Sequence, residues 1–226
     1  LPTASDVVAA VGRQVDAMWD TVDACLAGSE DPAERQALEA VLAERPQLDA
    51  LLANAPSVLV NSLLTRVHGD FHLGQILVAF DDVVLIDFEG EPVRPLAERS
   101  AKASPLRDVA GFLRSLDYAS EVSARGEEGT AARAGVGVDT HLDEFLVQFR
   151  RSSTHAFLDA YHAVLDASAH RWIAPAAFNA ATLLFLVEKA SYEVRYEAAN
   201  RPGWLMVPIE GLRRILQRAR ASAIDT

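Results

Sequence analysis

Cysteine is almost missing: Cys25 is the sole thiol, so no internal disulfide can form and a reducing compartment is the expected setting. Basic residues are short too, with 21 Lys and Arg against 32 Asp and Glu and a formal net charge of -11. Such a surface repels phosphate backbones and anionic lipid, which argues against a nucleic-acid or membrane-surface binder. Long apolar runs are also lacking. The longest, Ile173 to Val187, is interrupted by Pro175, Asn179 and Thr182 and is too short to span a bilayer. No basic-then-apolar leader precedes the first helical pattern, and the chain opens on Leu1 rather than Met. A cytoplasmic protein, and a piece of a longer one, is the expectation. Aromatics make up only 7% of the 226 residues, while half are apolar and 23% charged, an ordinary globular balance. At this length folding buries roughly 70% of the unfolded surface without metal or disulfide staples. Abundant alanine favours helices.

The periodicity predicts an amphipathic helix over Asp6 to Ala27, with Val7, Val11, Val15, Met18, Val22 and Leu26 at three- and four-residue steps. A second helix is expected from Pro32 to Pro46, and a third, short one around Leu48 to Ala53 that stops at Pro56. The texture then turns to β-branched runs. Ile76 to Phe80 and Val83 to Ile86, joined at Asp81-Asp82, read as a hairpin. Ser104-Pro105 caps a helix over Leu106 to Ala119, and glycine-rich Glu121 to Thr140 reads as a mobile loop. Helices follow at roughly 141–168, 175–199 and 208–223. The expected fold is mainly α with one small β-hairpin, in a single domain over residues 1–226.

Polar residues gather around that hairpin. His68-Gly69-Asp70-Phe71-His72-Leu73-Gly74-Gln75 precedes it, and its second strand runs into Asp87-Phe88-Glu89-Gly90-Glu91. A three-residue connection sets Gln75 opposite Asp87; a two-residue connection shifts the pairing by one and puts the two on opposed faces, as diagonal neighbours. An Asp, an amide and a second Asp around one hairpin suit in-line phosphoryl transfer. One carboxylate accepts the proton of the acceptor hydroxyl, while the amide oxygen and the second carboxylate hold the magnesium that bridges the phosphates of ATP. Protein kinases use an Asp, an Asn five residues on, and an Asp-Phe-Gly after a hairpin, and Asp70, Gln75 and Asp87-Phe88-Glu89 keep that order and spacing.

These stretches resemble the aminoglycoside-phosphotransferase branch of the kinase-like fold, and within it the maltokinases. The likeness is dense over 66–118, through Arg94-Pro95-Leu96-Ala97-Glu98-Arg99 and Ser104-Pro105-Leu106-Arg107-Asp108. It resumes at Glu188-Lys189-Ala190-Ser191-Tyr192-Glu193-Val194-Arg195-Tyr196-Glu197 and Asn200-Arg201-Pro202-Gly203-Trp204. Residues 1–60 and 120–180 match in helical character alone. The resemblance implies Asp70 as catalytic base, Gln75 and Asp87 as metal ligands, and Glu89 as a second-metal ligand or a solvated acid. It implies a structural His68 bonded to backbone near the Asp87 turn, and His72 either touching substrate or hydrogen-bonded within its loop. Asp108 would hold the backbone of the catalytic loop, or merely complement its helix dipole. Lys189, Tyr192 and Tyr196 fall at i, i+3 and i+7 of one helix. That stripe is either a half-buried face with polar tips or, as in maltokinases, a sugar platform.

An N-terminal β-rich lobe with a glycine loop and a phosphate-binding lysine belongs to such kinases, and residues 1–60 read as helices instead. The chain therefore resembles a C-terminal lobe whose nucleotide-binding lobe lies elsewhere, as in a fragment, a proteolysed product or one part of a fused enzyme. The expected activity is ATP- and Mg2+-dependent phosphorylation of maltose, with the related glucosamine kinases as the alternative acceptor reading. A non-catalytic binding module and a metal hydrolase built on His68, Asp70 and His72 stand as further alternatives.

Overall fold

In a computed structural model, residues 2–91, 95–125, 140–169 and 171–224 are described. Helix α1 (Ala4–Gly28) opens with a reciprocal capping box: Asp6 N donates to Thr3 Oγ1, and Thr3 N donates to the Asp6 carboxylate. Its buried stripe is Val8, Val11, Val15, Met18, Trp19 and Val22, the face the periodicity predicts. Helix α2 (Pro32–Leu42) starts on an Asp31 cap with Pro32 in its first turn.

Both prolines expected to stop helices are tolerated. Pro46 lies in the first turn of α3 (Arg45–Leu59), where its missing N–H would have had no partner, so α2 ends earlier, at Leu42. Pro56 lies inside α3, which continues for one more turn to Leu59; Ala55 and Leu59 are buried there, and that packing outweighs one lost helical hydrogen bond.

Strands β1 (Ile76–Ala79) and β2 (Asp82–Leu85) form the antiparallel hairpin, with Ile76 opposite Leu85 and Ala79 opposite Asp82. The connection is thus the two-residue one, Phe80-Asp81, and both residues have positive φ, 52° and 64°. That is the twist of a tight hairpin turn, adopted here without glycine. After the short helix α4 (Leu96–Arg99) comes α5 (Leu106–Arg125). Helix α5 extends into the stretch expected to be a mobile loop. The Glu121 carboxylate takes ion pairs from Arg150 and Arg214 at 3.8 and 2.7 Å, which fasten that last turn. The rest of the expected loop lies outside the described residues, as do Pro92 to Arg94 of the motif region.

Helices α6 (Thr140–Ala167), α7 (Pro175–Asn200) and α8 (Met206–Ile224) complete the set. Helix α7 is central, packed against α1, α3, α5 and α8. Residues all round it are buried, among them Phe178, Leu184, Phe185, Val187 and Val194, so it has no single apolar face. The core joins these residues to Leu106, Val109 and Leu116 of α5 and Ile209, Leu212 and Ile215 of α8. Among the described residues no helix is long and apolar enough to cross a membrane.

Several charged side chains are buried within this packing, Arg114 the most deeply. Arg114 of α5 is 1% exposed and bonds Glu193 at 3.0 and 2.5 Å and Asp117 at 3.1 Å. Burial opposes its charge, and the two facing carboxylates more than restore it. Replacing Arg114 by Met takes the facing cation from Glu193 and leaves Asp117 with Arg150 alone, at 3.4 Å, so a loss of about 3–5 kcal/mol of stability is expected in a urea titration. A loss below about 1 kcal/mol would mean that water reaches the carboxylates.

Candidate active site

Helix α5 holds the loop between Arg66 and β1. Asp108, in its first turn, accepts from His68 N at 2.7 Å and Gly69 N at 2.9 Å. One turn on, Gly111 lies so close to the loop that an added Cβ would stand 2.6 Å from the Phe71 carbonyl oxygen. Another turn on, the Ser115 hydroxyl accepts from Leu73 N at 3.1 Å. Asp108, Gly111 and Ser115 form one stripe on α5, and the loop lies along it. Phe71 adds a ring stacked on Phe112 at 5.5 Å. Burial pushes the Asp108 carboxyl above its ordinary range, and the two backbone donors pull it part of the way back.

The segment after β2 folds onto the same loop. Gly69 and Gly90 both have positive φ, 87° and 76°, and a Cβ on Gly69 would lie 3.2 Å from the Gly90 Cα. Only glycine allows this backbone-to-backbone approach. His68 Nε2 lies 2.8 Å from the Ile86 carbonyl, and its Nδ1 accepts from Asp70 N at 3.4 Å, so Nε2 carries the proton and donates. His68 therefore ties the loop to the end of β2.

Gln75 and Asp87 meet although the two-residue turn sets them off register: Gln75 Nε2 donates to Asp87 Oδ2 at 3.2 Å. Asp87 has φ 62°, and this left-handed residue just past the strand turns its side chain back toward Gln75. The Asp87 carboxylate is exposed, and a half-turn of the Gln75 amide presents a second oxygen beside it. Hard oxygen donors, few in number and open to water, fit a magnesium ion that keeps several waters and phosphate oxygens as ligands. Glu89 stands apart from this pair, its carboxylate 3.7 Å from Arg99 and 63% exposed.

Asp70 has a different neighbourhood. Its Oδ1 lies 3.3 Å from Lys189 Nζ on α7, and its Oδ2 is 3.8 Å from His72 Nε2. Lys189 Nζ is also 3.8 Å from Glu91 and 5.2 Å from the centre of the Tyr192 ring. The Tyr192 hydroxyl donates to Glu91, and burial together with that carboxylate pushes its pKa well up, so it remains a donor at any physiological pH. His72 Nδ1 accepts from Gly74 N at 3.0 Å while its ring faces the cleft. Tyr192 and Tyr196 stack at 6.0 Å along α7.

A hollow at Asp70 opens into a cleft of about 570 Å3 between α5 and α7, and Gly111, Glu91, Lys189 and Tyr192 line both. At the far end Tyr118 and Arg201 converge on Glu197, at 2.6 and 2.5 Å. The loop, the Asp87 turn and the α7 stripe are thus neighbours. Of the residues singled out in the sequence, His72, Lys189, Tyr192 and Tyr196 line the cleft, and Asp70 lines the hollow that shares Lys189 and Tyr192 with it; Gln75 and Asp87 form a second group at the hairpin end.

The hydrolase constellation does not assemble, since both nitrogens of His68 are engaged with backbone. Among the described residues no group of three or more His, Cys, Asp or Glu side chains is placed to hold a metal ion. Sequence reasoning passed over Glu91, Gly111 and Ser115. Glu91 is one acid of three in Asp-Phe-Glu-Gly-Glu, and nothing in that string tells that it turns to α7 while Glu89 turns to Arg99. The i, i+3, i+7 spacing from Asp108 would have pointed to Gly111 and Ser115.

Comparison with known proteins bears on this arrangement. A glucosamine kinase of Streptacidiphilus jiangxiensis is 31% identical over 212 residues, 91% of this chain and 42% of that protein. A glucosamine kinase of Mycolicibacterium smegmatis (strain ATCC 700084 / mc(2)155) is 31% identical over 156 residues, 69% of this chain and 35% of its own. The chain thus spans less than half the length of these curated relatives. A solved structure of a glucosamine kinase in complex with glucosamine, ADP and inorganic phosphate superposes with a TM-score of 0.72 at 25% identity. That superposition covers 99% of this chain and 50% of the other. The mostly helical fold with its one hairpin is therefore kinase-like. Residues 7–138, more than half of the chain and including the Asp70 loop, the hairpin and the α5 stripe, match the phosphotransferase enzyme family (APH), and the chain belongs to that family.

Proposed function

We propose that this chain is the catalytic, acceptor-binding lobe of an ATP-dependent sugar kinase. The observation that carries the reading is Asp70 in a hollow that shares Glu91, Lys189 and Tyr192 with the cleft along which Tyr192 and Tyr196 stack, with the Gln75–Asp87 pair beside the same loop. In the proposed reaction a sugar hydroxyl attacks the γ-phosphorus as the bond to the β-bridging oxygen breaks; ADP leaves and Asp70 takes the hydroxyl proton. Tyr192 and Tyr196 offer ring faces to the sugar and hydroxyls to its polar edge. Asp87 and Gln75 would hold a divalent cation, which when bound offsets charge on the phosphates. The nucleotide would be covered by a lobe outside this chain.

For the acceptor, the two glucosamine kinases at 31% identity and the glucosamine-bound structural neighbour support glucosamine. Maltose is kept as a second reading for one reason. The cleft follows α7 from Lys189 to Glu197, about 12 Å of helix, and this leaves length for a second ring beyond the first.

Specificity constants of the full-length protein for glucosamine, maltose and glucose separate the two. Preference for glucosamine is expected; preference for maltose would favour the longer acceptor, and ATP turnover that no sugar stimulates would sink both. Within that comparison Tyr196→Phe should cost about 0.5–1.5 kcal/mol in sugar binding, and Tyr192→Ala more, because a ring face is lost with the hydroxyl. Loss of ATP affinity to the same extent would show the two tyrosines to be packing residues only.

A further inference from the structure

The loop that carries Asp70 contains no lysine or arginine between His68 and Gln75, so the cation beside Asp70 comes from a distant element. Lys189 supplies it from α7. Of its three N–H donors, one faces Asp70 and one faces Glu91, and the ammonium lies over the Tyr192 ring. Its backbone is well anchored. The preceding Glu188 is held by Arg107 through two bonds at 3.0 and 2.8 Å, and the following Ala190 and Ser191 are fully buried. The side chain is 27% exposed, sheltered enough for the attraction to exceed that of a surface pair.

The two oxygens of Asp70 are therefore unequal. Oδ1 is taken by the ammonium; Oδ2 faces His72 at 3.8 Å, beyond hydrogen-bond reach. A carboxylate pinned through one oxygen presents the other in a fixed direction.

We propose that Lys189 acts on Asp70 rather than on the sugar: it is a positioning residue, docked on Glu91, that pins Oδ1 and leaves Oδ2 aimed at the acceptor hydroxyl. This rests on the phosphotransfer reading above. Glu91 gains a role through the same contacts. It keeps the ammonium between two carboxylates and receives the Tyr192 hydroxyl, which links the sugar platform to the base.

The test is a double-mutant cycle in the full-length kinase, with kcat and acceptor KM measured separately for Lys189→Met, Lys189→Arg, Asp70→Asn and the Lys189→Met/Asp70→Asn pair. Lys189→Met should lower kcat by about 10²-fold, the scale of a base displaced by an ångström, with acceptor KM within about twofold. Lys189→Arg should restore much of that loss, because the charge still reaches Oδ1. In the Asp70→Asn background the same Met substitution should cost less than about threefold, since there is no base left to aim. A full 10²-fold loss in that background, or a raised acceptor KM with kcat retained, would overturn the inference while leaving the phosphotransfer reading intact. A wild type that releases no ADP with any sugar would overturn both.

Discussion

On the proposed function, Asp70→Asn should lower turnover of the intact protein by about two to four orders of magnitude while its affinity for ATP barely moves. The amide keeps the size and planarity of the carboxylate but cannot take a proton from a hydroxyl. Among the described residues the Asp70 side chain bonds no backbone group; the loop is held by Asp108, Gly111 and Ser115 of α5, so its shape should survive the change. The ion pair with Lys189 is weakened as well, but it joins two side chains and no backbone of the loop, so its loss should not reshape the loop. Rapid-mixing measurement of ADP formation, together with calorimetric titration of ATP, separates the two terms. A variant with weakened nucleotide binding and ordinary turnover would reverse the roles of the two aspartates.

Asp87→Asn should act the other way, weakening magnesium and nucleotide together. An exposed carboxylate beside an amide, with no basic group paired to it among the described residues, offers charge to a cation. Its removal should reduce kcat/KM by a factor of about 10³, the few kcal/mol that charge neutralisation through a metal supplies. Raising the magnesium concentration should recover part of the loss, whereas it should leave Asp70→Asn unchanged. If added magnesium rescued neither variant, Asp87 would have to be read as a loop residue.

The first helices were legible in the sequence because their apolar residues recur at three and four residues and because Pro32 marks a start plainly. Boundaries failed where tertiary contacts decided them. Pro56 does not stop α3 because Leu59 packs into the core, and Glu121 belongs to α5 because arginines from α6 and α8 reach it. The hairpin was legible, but its role was misleading. β-Branched runs suggest burial, yet Val78, Val83 and Val84 are largely exposed, and Phe80 at the turn is fully so. The Gln75–Asp87 contact depended on a backbone angle at Asp87 that no spacing rule contains. Of the cleft, the stripe on α7 could be read from its period. Its meeting with Asp70 across 119 residues of sequence could not, because that depends on how α5 and α7 pack.

Saturation-transfer NMR on the 226-residue chain itself, with glucosamine and maltose as ligands, tests the acceptor cleft most directly. Transfer to the ring protons of the sugar is expected, abolished by Tyr192→Ala and indifferent to added ATP. No transfer from the wild-type chain, or equal transfer from Tyr192→Ala, would contradict a sugar site between α5 and α7.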